Sequence, residues 1–171
     1  MIAKRLDFID LKAQQEKILP DLNERIQRVL AHGQYIMGPE IKELEARLAA
    51  YVGVKHAISC SSGTDALLMP LLAYGVGPGD AIFTHTFTFI ATAEVIQLLG
   101  ATPIFADIDP KTFNIDPEAL AEAITSLGKN PKTAPLKPKG IIPVDLFGQP
   151  ADYDEINVLA QADESMICSC G

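Results

Sequence analysis

The sequence predicts an α/β fold built around a largely parallel β-sheet. Short apolar runs, typical of buried strands, alternate with longer segments whose apolar side chains recur at helical spacing. Four polar segments follow directly on predicted strands and read SSGTDAL, THTFTFIAT, DIDP and DLFGQ. Ligands of a parallel sheet bind beyond the carboxyl ends of its strands. The four segments therefore predict one binding site at one edge of the sheet.

The predicted helices and strands follow a regular order. Two helices come first, at residues 21–31 and from Pro39 onward, because apolar side chains recur there at helical spacing and proline suits a first helical turn. Strands are predicted at residues 54–59, 81–84, 102–107 and 141–146, and the helices that follow them at residues 64–74, 89–99, 116–124 and 152–160. Gly75 and Gly100 favour helix ends at their positions. Residues 126–139, rich in Pro and Lys, predict an exposed loop.

Pro70 conflicts with the helix predicted at residues 64–74. A proline inside a helix removes a backbone hydrogen bond and clashes with the preceding turn, at a cost of about 3 kcal/mol or more. We therefore expect either a kink in this helix or damage to the neighbouring site.

The segment before helix 64–74 is a candidate anion site. Ser61, Ser62 and Gly63 form a small polar turn, and the following helix leaves backbone N–H groups unpaired at its N-terminus. Together with the helix dipole, these groups can hold a phosphate. The alternative is that Ser62 or Thr64 simply caps the helix, which is a common use of such residues. The other three loops at the same predicted edge favour the anion site.

The composition excludes several classes of partner. The 171 residues carry a formal net charge of −8, with a pI of about 4.8, and 48% of them are hydrophobic. An acidic chain without a marked basic cluster is not expected to bind nucleic acid or an anionic membrane. No apolar run is long enough to cross a bilayer, and the charged N-terminus lacks the apolar core of a secretory signal. A soluble cytoplasmic protein is expected.

The cysteines and histidines do not predict a metal site. Cys60 ends a predicted buried strand and is expected to be a reduced core residue. Cys168 and Cys170 have no second pair of ligands nearby, and the three histidines show no metal-ligand spacing. The sequence also lacks G-x-G-x-x-G, G-x-x-x-x-G-K-[ST] and G-x-S-x-G. The alternative of an unrelated phosphate-binding α/β protein therefore has no motif to support it.

Several segments, taken in order, resemble a known enzyme family. They read FIDLKAQQ, HGQYIMGPEIKELE, HAISCSSGTDALL, GVGPGD, TFTFIATAEVIQLLGATPIFADIDP, NIDPEAL and PVDLFGQPADYDEI. In this ordered set the chain resembles the DegT/StrS family of pyridoxal-phosphate-dependent nucleotide-sugar aminotransferases, over nearly everything up to residue 160. The resemblance implies fold type I, as in aspartate aminotransferase, with residues 1–160 forming the N-terminal part of the large cofactor-binding domain.

The resemblance also implies the chemistry and its partners. The cofactor would be pyridoxal 5′-phosphate (PLP), and the amino group would pass from an amino-acid donor, typically glutamate, to a nucleotide-linked keto-sugar. The most similar members aminate C3 of the sugar, including uronic acid sugars, in surface-polysaccharide or related sugar biosynthesis. Full-length members are implied to be homodimers with sites at the interface.

The family's cofactor contacts correspond to matching residues of this sequence. Ser62, Gly63, Thr64 and Asp65 match the turn that holds the cofactor phosphate. Because a carboxylate beside a phosphate is unfavourable, the Asp65 side chain is expected to point away and to favour the helix dipole. Phe89 matches the aromatic residue that stacks on the pyridine ring; its alternative role is a core aromatic at a helix start.

Two further residues are candidates for the substrate side of the site. The resemblance places the loop around Tyr35 near the sugar, and the alternative role of Tyr35 is a buried loop anchor. Gln149, in DLFGQ, is a candidate substrate contact or a turn residue. Both alternatives stay open at the level of sequence.

The expected motifs for two further catalytic residues do not occur. A lysine must form the Schiff base with PLP, and a carboxylate must pair with the pyridinium nitrogen. In the family they lie in motifs like SFHxxK and EDAAQ, so no catalytic residue is assigned here. Residues 161–171 resemble nothing in the family, so this tail is expected to result from a lost reading frame or a truncation. The chain is then the N-terminal fragment of an aminotransferase and is expected to be inactive alone. The alternative is a non-catalytic remnant or partner-binding module of a decayed aminotransferase gene.

Overall fold

A computed structural model of the chain describes residues 8–131, 133–162 and 165–169. The chain divides into two units, Met1–Ser59 and Cys60–Gly171. Within the described residues, no helix combines the length and the apolar character that crossing a bilayer requires.

The first unit contains two helices, α1 (Leu11–His32) and α2 (Pro39–Val52). α1 begins well before the predicted residue 21, because the Asp10 side chain caps it by accepting a hydrogen bond from the backbone N–H of Ala13 at 2.9 Å. The helix continues through Pro20 and ends at Gly33, whose left-handed backbone (φ 65°) closes the last turn. Proline opens α2 as predicted.

Charged side chains join α1 and α2. The Glu43 carboxylate accepts a hydrogen bond from Arg47 at 3.3 Å and lies 3.6 Å from Arg25. His32 Nε2 lies 3.0 Å from Glu40 Oε1, and this hydrogen bond holds the pKa of Glu40 below its usual value. Because these groups are partly exposed to water, each pair adds little to stability. No residue of either helix is fully buried, so their apolar faces remain open to solvent.

The strand predicted at residues 54–59 is not present. Ser59 instead donates hydrogen bonds from its backbone N–H (2.9 Å) and its hydroxyl (2.8 Å) to the Glu45 carboxylate. A strand requires hydrogen bonds to a neighbouring strand, and none of the described strands pairs with this segment. The prediction that Cys60 is a core residue is therefore wrong, since its free thiol is exposed and donates to the Ser62 carbonyl oxygen at 3.3 Å.

The second unit is a parallel sheet covered by helices. Its elements are α3 (Gly63–Ala73), β1 (Asp80–His85), α4 (Ala91–Leu98), β2 (Thr102–Ala106), α5 (Pro117–Ser126), β3 (Lys137–Ile141), α6 (Tyr153–Ala162) and β4 (Met166–Ile167). The described strands lie in the order β2-β1-β3-β4, and each neighbouring pair is parallel. The predicted α/β class with a mainly parallel sheet is confirmed.

β3 occupies part of the segment predicted to be a loop. The prediction placed a loop at residues 126–139 and a strand at 141–146, whereas the strand begins at Lys137. Lys137 pairs with Asp80 at the start of β1, so the lysine-rich part of β3 lies at the rim of the sheet. Long lysine side chains can cover apolar neighbours there and keep their charge in water. The low hydrophobicity of this segment therefore does not prevent strand pairing.

The last described residues join the sheet as an edge strand. Met166 and Ile167 pair with Gly140 and Ile141 of β3. The Met166 side chain lies so close to Gly140 that a Cβ added there would stand 2.8 Å from Met166 Cγ. The division expected at residue 160 stays a prediction, although residues 166–167 have a regular place in the sheet. Cys170 of the C-S-C segment lies outside the described residues.

Apolar side chains cover both faces of the sheet. Phe83 packs on one face with Leu120 of α5. On the opposite face, Ile82 packs with Leu71 of α3 and Ile96 of α4. Because side chains alternate along a strand, the neighbours Ile82 and Phe83 enter different cores.

Pro70 does not interrupt α3, which runs without a break from Gly63 to Ala73. The Pro70 carbonyl still accepts a hydrogen bond from the backbone N–H of Tyr74 at 2.9 Å. Leu67 and Leu71, one on each side of the proline, are buried against the sheet, and this burial offsets the hydrogen bond that proline cannot donate. The expected damage to the neighbouring turn is not observed.

Candidate functional site

The carboxyl ends of β1, β2 and β3 share one edge of the sheet, because the strands are parallel. Residues 86–90, 107–116 and 142–151 follow these three strands. α3 packs on a face of the same sheet and leads directly into the start of β1, so its own N-terminus lies toward the same edge. The four polar segments predicted to form one site are thus brought to one edge, with SSGTDAL at the start of a helix.

The N-terminus of α3 presents backbone donors to solvent. Ser62 caps the helix: its hydroxyl accepts a hydrogen bond from the Asp65 N–H at 3.2 Å, and its carbonyl accepts one from the Ala66 N–H at 3.0 Å. Within the described part of the chain, the backbone N–H groups of Gly63 and Thr64 have no acceptor. The capping role and the anion site are therefore compatible, because the cap leaves two donors unused.

The Asp65 carboxylate turns back onto the polar turn, so the expectation that this side chain points away is wrong. It accepts hydrogen bonds from the hydroxyls of Ser61 and Ser62, the latter at 3.3 Å. The position satisfies the expected preference for negative charge at a helix N-terminus. It also occupies both serine hydroxyls, so the free donors of the turn are the two backbone N–H groups and the Thr64 hydroxyl.

Nothing in the described chain requires glycine at position 63. Its backbone is not left-handed, and a Cβ built there would meet no atom within 4 Å. The space beside the two free N–H groups is therefore open to a ligand, and a side chain at this position would reduce that access. This steric openness fits a group that approaches the helix N-terminus closely.

Phe89 is an exposed aromatic residue at the same edge. Its side chain is 74% exposed, which removes the alternative of a core aromatic. The helix predicted to start at residue 89 begins at Ala91, since Ile90 is the capping residue of α4. The ring is therefore available to stack on a planar ligand.

Gln149 forms part of a tight turn in the loop that follows β3. Its backbone N–H donates to the Leu146 carbonyl at 3.1 Å, and its own carbonyl accepts a hydrogen bond from Asn114 Nδ2 at 2.9 Å. Its exposed side chain makes no hydrogen bond within the described residues. The turn role is thus carried by the backbone, and the side-chain carboxamide is left for a ligand.

Tyr35 lies in the first unit, between α1 and α2. Its side chain is 65% exposed, so the alternative of a buried loop anchor is wrong. Exposure leaves the ring and hydroxyl available for a contact outside the described residues.

Sequence reasoning missed a polar network beside this edge. The Asp145 carboxylate accepts hydrogen bonds from the Ala151 N–H at 3.0 Å and from the Tyr153 hydroxyl at 2.8 Å. Burial and the neighbouring carboxylate raise the pKa of Tyr153 to about 12. Asp145 is the single charged residue in the apolar run IIPVDL. Because a charge in such a run requires hydrogen bonds, its position could have indicated a hydrogen-bond partner.

His85, at the carboxyl end of β1, is fully buried. Within the described part of the chain, neither ring nitrogen has a hydrogen-bond partner. Burial holds the pKa of His85 below its usual value, so the imidazole is neutral near pH 7. A histidine inside an apolar strand was visible in the sequence, but its missing partners were not.

A cleft of about 720 Å³ lies beside the loop that contains Gln149. Its lining includes the carboxylates of Asp109, Asp116, Glu118, Asp152, Asp154 and Glu155. Asn114 and Gln149 also line this cleft. Such a concentration of negative charge repels a phosphate, so the anion site is assigned to the start of α3 and not to this cleft. Among the described residues, no group of three or more His, Cys, Asp or Glu side chains could hold a metal ion.

Comparison with known proteins gives matches over most of the chain. The model of the DegT/DnrJ/EryC1/StrS aminotransferase family matches residues 16–169. The expectation that residues 161–171 resemble nothing in the family is therefore wrong up to residue 169. The chain is 55% identical over 155 residues to the UDP-2-acetamido-2-deoxy-3-oxo-D-glucuronate aminotransferase of Pseudomonas aeruginosa, an alignment that covers 91% of this chain and 40% of the relative. The chain therefore spans about 40% of the length of this curated relative.

Solved structures give the same fold. The crystal structure of a DegT DnrJ EryC1 StrS aminotransferase from Brucella abortus superposes with a TM-score of 0.89 at 47% identity, over 96% of this chain and 43% of that one. NtdA from Bacillus subtilis, whose structure contains bound cofactor PMP, superposes with a TM-score of 0.83 at 29% identity, over 99% of this chain and 38% of its own.

Proposed function

Because the chain belongs to the DegT/DnrJ/EryC1/StrS aminotransferase family, we propose that it is the N-terminal part of a PLP-dependent aminotransferase of nucleotide-linked keto-sugars. The observation that carries the proposal is the start of α3, where two unpaired backbone N–H groups face open space. Exposed Phe89 lies at the same sheet edge. An anion-binding helix terminus and an exposed aromatic ring are the two features that a phosphorylated pyridine requires.

The residues at this edge fit PLP. Gly63 and Thr64 would hold the phosphate through their backbone N–H groups and the threonine hydroxyl, with Ser62 fixing the turn. Asp65 opposes the phosphate charge, but it organises the turn by holding the serine hydroxyls. Phe89 would stack on the pyridine ring. When bound, PLP supplies the electron sink that amino-group transfer requires.

The substrate proposal rests on the relatives. The Pseudomonas aeruginosa relative is named for a UDP-linked 3-oxo sugar acid. At 55% identity to this relative, the substrate class that we assign is a nucleotide-linked sugar with a ketone at C3. The amino donor is assigned as an amino acid, and the reaction is assigned to sugar biosynthesis in the cytoplasm. Tyr35 and Gln149 have exposed side chains and are assigned to the substrate side.

The 171-residue chain alone is proposed to bind the cofactor without turnover. The family resemblance assigns the Schiff-base lysine and the pyridinium carboxylate to motifs like SFHxxK and EDAAQ, which this sequence does not contain. Phosphate and ring contacts do not depend on those motifs, so cofactor affinity is the property to measure.

The cofactor proposal is tested by titrating the chain with PMP and following the fluorescence of its ring. Pyridoxamine, which lacks the phosphate, is the matched ligand. We expect PMP to bind at least about tenfold more tightly, since charge-assisted hydrogen bonds at the helix terminus act only on the phosphate. Gly63→Ala should weaken PMP binding, whereas Gly128→Ala, also with open space around its Cβ, should not. Equal affinity for PMP and pyridoxamine would contradict the proposal.

A second candidate role is association with another subunit, either a second copy in a homodimer or an intact homologue. The apolar faces of α1 and α2 favour it, because Ile18, Leu22, Ile26 and Leu44 are all exposed. Sedimentation of the chain at several concentrations, and copurification with an intact homologue, test this role. A monomer at all concentrations that captures no homologue would exclude it.

A further inference from the structure

The loop at residues 145–151, after β3, holds an unfavourable backbone conformation. Phe147 has a left-handed backbone (φ 54°), and Gly148 follows with φ 83°. A left-handed conformation is costly for a residue that carries a Cβ. The Phe147 ring is 93% exposed, so packing within the described chain does not compensate this cost. Strain that persists without local benefit is typical of segments held for binding.

Asn114 is the residue that clamps this loop from outside. Its Nδ2 donates to the carbonyl of Gln149 at 2.9 Å and to that of Pro150 at 3.0 Å. Its Oδ1 accepts a hydrogen bond from the Leu146 N–H at 3.3 Å. Only a carboxamide offers two donors and an acceptor in this geometry, because a carboxylate cannot donate and a hydroxyl donates once. Asn114 is only 3% exposed, so these contacts are shielded from water.

Asn114 is itself fixed to the segment that follows β2. Its backbone carbonyl accepts a hydrogen bond from the Asp109 N–H at 3.0 Å, and the next residue, Ile115, forms a bridge with Ile108. The clamp therefore links the loops after two different strands at the sheet edge that carries the proposed site. The side chains that it leaves exposed are those of Phe147, Gln149 and Pro150, of which Gln149 alone carries a polar group.

We propose that Asn114 is a positioning residue for the nucleotide-sugar substrate. It acts through the loop, holding Gln149 and Phe147 in one arrangement so that the carboxamide and the ring contact the sugar ring of the substrate without a further ordering cost. The diphosphate of the substrate lies outside the acidic cleft that Gln149 helps to line, because the carboxylates of that cleft repel it. This inference rests on the proposed function, because the ligand that it names is the substrate of that reaction. The cofactor phosphate is assigned to a separate element, the start of α3.

The test compares three variants of the 171-residue chain. Asn114→Leu keeps the approximate volume and removes every side-chain hydrogen bond, and Asn114→Asp keeps the acceptor but removes both donors. Asn157→Leu makes the same change at an exposed position of α6 and is the control. Amide hydrogen exchange is measured at Gly148, Gln149 and Ala151 in the loop, and at Ile82 in the central strand.

We expect both Asn114 variants to accelerate exchange in the loop by about tenfold or more, with Ile82 unchanged. Binding of UDP-N-acetylglucosamine, measured by isothermal titration calorimetry with Phe147 and Gln149 unchanged, should weaken to a similar degree in both variants. PMP affinity should not change. A merely structural role would instead accelerate exchange at Ile82 and weaken PMP binding as well.

Three outcomes would overturn the inference. They are unchanged loop exchange in Asn114→Leu, a released loop with unchanged UDP-N-acetylglucosamine affinity, and no binding of this sugar nucleotide to the unmodified chain. Each of these leaves the cofactor proposal intact if PMP still binds. Failure of PMP to bind the unmodified chain would contradict the proposed function, while loop exchange would still decide whether Asn114 holds the loop.

Discussion

Replacing His85 by leucine should stabilise the protein. The imidazole is fully buried, and within the described residues both of its nitrogens lack a partner. A neutral imidazole has one N–H donor and one acceptor nitrogen, and a buried polar group without a hydrogen bond costs free energy. Leucine is similar in size and carries no polar atom, so it removes this cost and keeps the position filled.

The magnitude follows from two opposing contributions. Each unsatisfied buried polar atom costs about 1 kcal/mol at the low end of measured values, which amounts to about 2 kcal/mol for the ring. The change in side-chain shape costs up to about 1.5 kcal/mol in a packed core. We therefore expect His85→Leu to raise the free energy of unfolding by about 0.5–2 kcal/mol at pH 7.5.

The substitution should also change the pH dependence of stability. Burial lowers the pKa of His85 in the folded state, whereas the unfolded chain has the ordinary value near 6.5. The unfolded chain therefore binds a proton first as the pH falls below about 6.5, and stability is lost from there down to the lowered folded-state pKa. Above about pH 7 this residue does not change the free energy of unfolding with pH, because it is neutral in both states. His85→Leu should remove this loss.

Urea unfolding at pH 7.5 and pH 5.5 measures both effects. The control is His56→Leu, which changes an exposed histidine and should alter stability by no more than about 0.5 kcal/mol. The advantage of His85→Leu over the unmodified chain should be larger at pH 5.5. A decrease in stability at pH 7.5 would refute the reasoning, because it would show that the imidazole has a favourable partner in solution.

Further predictions concern the turn, the polar network and the edge strand. Gly63→Ala should leave the free energy of unfolding unchanged or raise it by up to about 1 kcal/mol in urea, while PMP affinity falls; a loss of stability would contradict this. Tyr153→Phe should lower stability by about 1–2 kcal/mol, since it removes the hydrogen bond to Asp145; an unchanged urea midpoint would contradict it. Gly140→Ala should cost about 1–3 kcal/mol by crowding Met166, and Met166→Ala should make it less costly; additive effects would exclude the contact.

The local part of the site could be predicted from the sequence. Ser62 as a cap and the unpaired N–H groups of Gly63 and Thr64 depend on neighbours a few residues away, so the pattern SSGTDAL contained the necessary information. The network around Asn114 could not be predicted, because its partners lie more than thirty residues away, with separations of 32 to 36. The exposure of Phe89 and Tyr35 likewise depends on which residues pack around them, and a short stretch of sequence does not show this.

The sequence by itself determined the alternation of helices and strands, the parallel sheet and the turn at the start of α3. These depend on the spacing of apolar side chains and on short-range backbone hydrogen bonding. Only the tertiary structure decided which segments became strands. Residues 54–59 are apolar enough but have no partner among the described strands, whereas the lysine-rich residues 137–141 pair with β1. The reason is physical: a helix satisfies its backbone within itself, and a strand depends on a neighbour that is distant in sequence.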